Sequence, residues 1–133
     1  HYAYGAIGSW MYTTIAGILS DSVQVGYKKS IIKPKPGGGL TFAKASLATY
    51  YGQLVSSWRI ANGQFHLDVE IPPNTTAAIW LSTTDIGSVA ENGKGLLQKS
   101  DIKSINIFDG EIVVEVGAGK YSFLVKNGNY AKY

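Results

Sequence analysis

The chain has 133 residues, a formal net charge of +3 and no cysteine, which fits one domain and excludes a disulfide framework and thiolate chemistry. Hydrophobic residues make up 45% of it, enough for a packed core and too many for disorder. Its basic residues are scattered, with Lys28, Lys29, Lys33 and Lys35 as the one cluster; a nucleic-acid footprint needs a denser stripe with interleaved aromatics, so this cluster reads as the solvated face of a strand.

No acidic or basic side chain precedes Asp21. Ala3, Ile7, Met11, Ile15 and Ile18 fall at helical spacing, and Tyr4, Ala6, Trp10, Ala16 and Leu19 fill much of the remaining circumference. The spacing predicts a helix over residues 1–21, apolar almost all round, of the kind that belongs inside a larger body. Everything after it reads as β-structure, so the expectation is a truncated last helix of a larger helical domain at 1–21 and a β-domain at 22–133. Gly5, Gly8, Gly17 and several hydroxyls make the opening stretch a poor membrane span, and it lacks the basic n-region of a signal peptide.

From Asp21 the apolar period changes from about four to two. A first strand runs within Val25–Lys35, closed by Pro34 and Pro36. Gly37–Gly39 makes a loop, and strands follow over Leu40–Tyr50 and Gln53–Ala61. Asn62-Gly63 between two alternating runs signals a hairpin, and Gln64–Ile71 then alternates without a break. Pro72-Pro73-Asn74 ends that strand and Thr75–Leu81 forms the next. Residues 82–100 read as loop with at most a short strand. Ser104–Phe108 and Glu111–Val116 form a second hairpin across Asp109-Gly110, and Gly117–Gly119 turns into a last strand over Lys120–Lys126. Seven or eight short strands with turn signals between them predict a mainly β fold, an antiparallel β-sandwich preceded by one α-helix.

Candidate chemistry is sparse. His66 shares the polar register of its strand with Asp68, and two ligands without a third make no metal site. None of the nine carboxylates falls in a recognisable acid–base pair, no phosphate-binding glycine loop precedes a helix, and no Gly-x-Ser-x-Gly motif occurs. No metal or cofactor is called for. Asn74-Thr75-Thr76 is a glycosylation sequon that reads as a turn after two prolines. Trp58 shares register with Leu54 and Ile60 and is assigned to the core. Trp80, opposite in register to Ile79 and Leu81, and the adjacent Tyr50 and Tyr51 are the candidate aromatic contacts for a sugar or a neighbouring domain. If extended, the two tyrosines point to opposite faces.

The ordered phrases His1-Tyr-Ala-Tyr-Gly-Ala-Ile-Gly-Ser-Trp10-Met-Tyr12, Gly26-Tyr27-Lys28, Ile32–Leu40, Tyr51-Gly52, Trp58, Asn62-Gly63, Phe65, Ile71–Ala77 and Gly117–Phe123 resemble, in the right order over nearly the whole chain, the C-terminal region of bacterial α-L-rhamnosidases. The resemblance implies an inverting glycoside hydrolase acting on terminal α-L-rhamnose. It also implies an (α/α)6 catalytic barrel, of which the opening helix is the last, and a C-terminal β-sandwich. Inverting hydrolysis needs two carboxyl groups about 6.5–9.5 Å apart; by the family pattern both lie upstream of this chain, which has no catalytic residue of its own. Of the family's sugar-pocket positions only His1 matches one here, and Ser9 stands where the family commonly has an acidic residue. Implied partners are the upstream barrel and, through it, a rhamnose-containing glycoside. The compartment is open between cytoplasm and periplasm or secretion.

Three functional classes follow. The first is an accessory domain that buttresses a rhamnosidase-type barrel. The second is a carbohydrate-binding module using Trp80 with Tyr50 or Tyr51. The third is a structural module that forms homo-oligomers through the exposed apolar helix.

Overall fold

The computed structural model describes residues 16–20, 28–36, 39–98 and 101–126. Within them the strands are β1 (Ile18–Ser20), β2 (Lys29–Ile32), β3 (Phe42–Thr49), β4 (Gly52–Ala61), β5 (Gln64–Ile71), β6 (Thr76–Leu81), β7 (Val89–Glu91), β8 (Lys94–Gly95), β9 (Ile102–Phe108), β10 (Glu111–Val116) and β11 (Gly119–Val125). They form two sheets, five-stranded in the order β1-β2-β6-β10-β9 and six-stranded in the order β3-β4-β5-β11-β7-β8. The expected β-sandwich is present, with three more strands than the sequence reading marked: β1, β7 and β8. Every pairing is antiparallel except β2 with β6, which is parallel.

Alternation builds the core. Phe65, Leu67, Val69 and Ile71 of β5 are 0–3% exposed, and Tyr121, Phe123 and Val125 of β11 are buried beside them. From the other sheet Ile79, Leu81, Ile112 and Val114 enter with no exposed surface. Trp58 takes the core position expected of it, its ring stacked at 5.9 Å on Phe65. Three crossings between the sheets run through prolines or glycines, at Pro34–Pro36, Pro72-Pro73 and Gly117–Gly119. Gly52 lies against Pro72 at one such crossing. The Tyr121 hydroxyl donates to the Gly117 carbonyl at 3.1 Å and fastens the β10–β11 crossing.

Asn62-Gly63 and Asp109-Gly110 turn with positive φ at both residues, 54° and 73° and then 53° and 76°, the geometry that two-residue hairpins require. Asn92-Gly93, at 51° and 82°, makes a third hairpin between β7 and β8. That dipeptide signal is present in the sequence and marks the strands missing from the reading of residues 82–100.

The helix expected over 1–21 is not supported: residues 1–15 lie outside the described residues, and residues 17–20 are not helical. Gly17 turns with φ of +95°, and Ile18–Ser20 is a strand paired with Ile32, Ile31 and Ser30. No α-helix occurs among the described residues. The physical reason is Gly17: a Cβ there would press into the Pro34 nitrogen and lie 2.5 Å from the Lys33 carbonyl carbon. Glycine alone takes this conformation and this closeness together, and the periodic apolar pattern runs straight across it.

Candidate functional site

Thr76, Ala78 and Trp80 of β6 are half-buried on the outer face, while Ala77, Ile79 and Leu81 are buried inside. Trp80 therefore projects from the sheet, as its register predicts. Its indole is not a bare platform. The Lys33 ammonium stands 4.4 Å from the ring centroid and the Phe108 ring meets it edge-on at 5.8 Å and 84°. A cation over the indole face and an aromatic edge are both favourable contacts, worth about 0.5–1.5 kcal/mol each. Phe108 itself is 63% exposed. Glu111 pairs across the hairpin with Phe108. Burial pushes its carboxyl above the ordinary range, with Asp109 adding to the rise and Lys33 and Lys35 opposing it.

Tyr50 and Tyr51 occupy the turn between β3 and β4 rather than an extended run, so they do not separate to opposite faces. Their rings meet edge-on at 5.2 Å. The Thr49 hydroxyl shapes the turn, accepting from the Tyr51 N–H at 3.2 Å and donating to the Gly52 carbonyl at 2.6 Å. Tyr50 is 90% exposed, and the Lys28 ammonium lies 5.8 Å from the Tyr51 ring. Lys28 and Lys33 flank β2, about 16 Å apart along the strand. The tyrosine pair and Trp80 thus stand at opposite ends of β2 and do not form one aromatic platform.

His1 lies outside the described residues. His66 is half-buried on β5 opposite Arg59; burial and the Arg59 charge hold its imidazole below the ordinary range, and Asp68 opposes them. Asn74 takes a positive φ of 62° in the Pro72–Thr75 turn, where the Thr75 hydroxyl donates to the Pro72 carbonyl at 2.8 Å, as the turn reading has it. Among the described residues no group of three His, Asp or Glu side chains is placed to hold a metal ion, and no helix is long and apolar enough to cross a membrane.

The six-stranded sheet carries a cleft of about 390 Å³ lined by Asp68, Glu70, Glu91, Asn92, Lys120 and Ser122. Glu70 and Lys120 face each other across strands, and the Glu91 carboxylate accepts from the Ser122 N–H at 3.0 Å.

The junction at residue 16 is the part that sequence reasoning missed. The buried Ser56 hydroxyl donates to the Ala16 carbonyl at 2.6 Å, and the Lys33 N–H donates to the Gly17 carbonyl at 2.7 Å. Ala16 and Ser56 have no exposed surface. The signal was a serine in the inward register between Leu54 and Trp58, where a polar group must find a partner.

Residues 17–96 match the model of the bacterial α-L-rhamnosidase C-terminal domain. An α-L-rhamnosidase of Streptomyces avermitilis is 38% identical over 94% of the chain, and one of Formosa agariphila is 41% identical over 95%. The crystal structure of the Streptomyces avermitilis enzyme complexed with L-rhamnose superposes with a TM-score of 0.76 at 37% identity, over 95% of this chain. The α-L-rhamnosidase of Dictyoglumus thermophilum superposes with a TM-score of 0.77 at 26% identity, over 96% of this chain. The chain spans 11% and 13% of the length of the two curated relatives, and 11% and 14% of the two solved chains. With the family model matching more than half of its length and relatives this similar over nearly all of it, the chain belongs to the bacterial α-L-rhamnosidase C-terminal domain family.

Proposed function

We propose that this sandwich is the accessory domain of a longer glycoside hydrolase that removes terminal α-L-rhamnose, and that it braces the catalytic barrel upstream of it. In this reading both catalytic carboxylates lie in the barrel, and His1 lines the sugar pocket where the two meet. The observation that carries the reading is the fixing of Ala16–Ser20. One strand pairing, a buried serine and a glycine that no other residue replaces hold the segment into the core. A freely tethered binding module needs no such anchorage, since a flexible linker suffices. A domain that sets the position of its upstream neighbour does need it.

An aryl α-L-rhamnoside assay tests this. The 133-residue chain alone should show no turnover, and the longer chain should hydrolyse the substrate with inversion. In the longer chain, His1→Ala should raise KM. Turnover by the isolated chain would overturn the assignment of both carboxylates to the upstream domain.

A further inference from the structure

We infer that the upstream catalytic domain of the longer chain docks on the outer face of the five-stranded sheet and leaves the outer face of the six-stranded sheet in solvent. The inference deepens the proposed function and rests on it. An antiparallel sheet with one face in water places polar side chains outward. Over its central strands the six-stranded sheet does so: Ser57, Arg59, His66, Asp68, Glu70 and Ser122 stand on its outer face, with Val55 and Leu124 half-buried among them and the exposed Phe42 on its edge strand β3.

The five-stranded sheet departs from the rule over one contiguous patch. Leu19, Ile31 and Ala78 are register partners in one row across β1, β2 and β6. In the next row Trp80 faces Val113, and Phe108 lies edge-on to Trp80. These six side chains share the outer face, half-buried apart from Phe108, which is 63% exposed. Polar side chains bound the patch: Lys33 over the Trp80 ring, Glu111 opposite Phe108, Glu115 opposite Ala78 and Asn106 opposite Val113. An apolar patch rimmed by charge is the surface signature of an interaction site.

Two observations name the occupant. The chain accounts for 11–14% of the length of its relatives, so a much larger body is available in the same polypeptide. The patch also includes Leu19 of β1, the first strand in chain order among the described residues. A domain on the N-terminal side of β1 is therefore close in sequence to this face.

The longer chain carries the test. Val113→Cys and Ser57→Cys place one thiol on each outer face at comparably half-buried positions, in a domain that has no native cysteine. Labelling with N-ethylmaleimide is followed by peptide mass spectrometry in the longer chain and in the 133-residue chain. Val113→Cys should label roughly tenfold or more slowly in the longer chain than in the short one, and Ser57→Cys within roughly twofold of its short-chain rate. Ile31→Cys, on the same patch, replaces Val113→Cys should that variant fail to fold. An open Val113→Cys in the longer chain, or protection of Ser57→Cys instead, overturns the docking face. Protection of Val113→Cys in the short chain that grows with protein concentration assigns the patch to a second copy and overturns it equally. Rhamnoside hydrolysis is read on the same preparations. A longer chain that hydrolyses the substrate while Val113→Cys stays open refutes the docking face alone. One that does not hydrolyse it refutes the functional reading, and labelling still decides the face.

Discussion

The Ser56 hydroxyl donates 2.6 Å to the carbonyl of Ala16, forty positions away in sequence, with both residues fully buried. This bond joins the second strand of the six-stranded sheet to the segment that opens the five-stranded one. It satisfies a carbonyl that neither sheet ladder pairs.

Ser56→Ala therefore leaves the Ala16 carbonyl buried without its donor, at a cost of about 1–3 kcal/mol. Urea unfolding should show a lower midpoint with an unchanged slope. An unchanged midpoint would mean that water replaces the hydroxyl.

Gly17→Ala is expected to cost more, roughly 3 kcal/mol, because strain at positive φ adds to a clash with backbone that cannot move aside. Thermal unfolding should fall by about 10 °C. Combined with Ser56→Ala the loss should be less than the sum, since both changes release the same segment.

Glu111 supplies a pH test. Burial raises its carboxyl above the ordinary value despite Lys33 and Lys35, so ionising it in the folded state costs stability. The sign follows: the cost is absent below the unfolded glutamate pKa of about 4.3 and appears as pH rises through the higher folded value. Glu111→Gln should stabilise the domain at pH 7 and leave it unchanged well below pH ~4. A destabilised variant at pH 7 would show that the lysines, and not burial, dominate at this position.

Tyr121 has the same sign at the alkaline end. Burial, with Asp101 and Glu91 adding, raises its phenol above the ordinary value, and the neutral hydroxyl donates to Gly117. Its stabilisation is complete below pH ~10 and is lost as pH rises through the folded value. Tyr121→Phe should cost about 1 kcal/mol at pH 7 and flatten the alkaline fall in stability followed by circular dichroism.

Much of the fold is legible in the residues alone. β5, between the Asn62-Gly63 turn and Pro72, coincides with the predicted Gln64–Ile71, because strict alternation and local turn chemistry both act between near neighbours. Trp58 as core and Trp80 as outward follow from the same period. The strand at Ile18–Ser20 does not follow: Ile15 and Ile18 continue a helical stripe in sequence, and only the approach of Lys33 and Pro34 shows that Gly17 is a turn. Residues 82–100 admitted a short strand but not the β7–β8 hairpin, because strands of three and two residues carry too few alternations to delimit, although their Asn-Gly turn was visible.

The candidate site divides in the same way. Sequence by itself determined the family, the β-class, the inward and outward faces of each long strand and the hairpin positions, since all of these depend on spacing and on residues within a turn of one another. Tertiary structure alone decided that Trp80 lies beneath Lys33 and beside Phe108, that Tyr50 and Tyr51 share a turn far along β2 from it, and that Ser56 clasps Ala16. Those partners are brought together by strand order and by the parallel β2–β6 pairing. That order is set by how two whole sheets bury their apolar faces against each other, and no local run of residues encodes it.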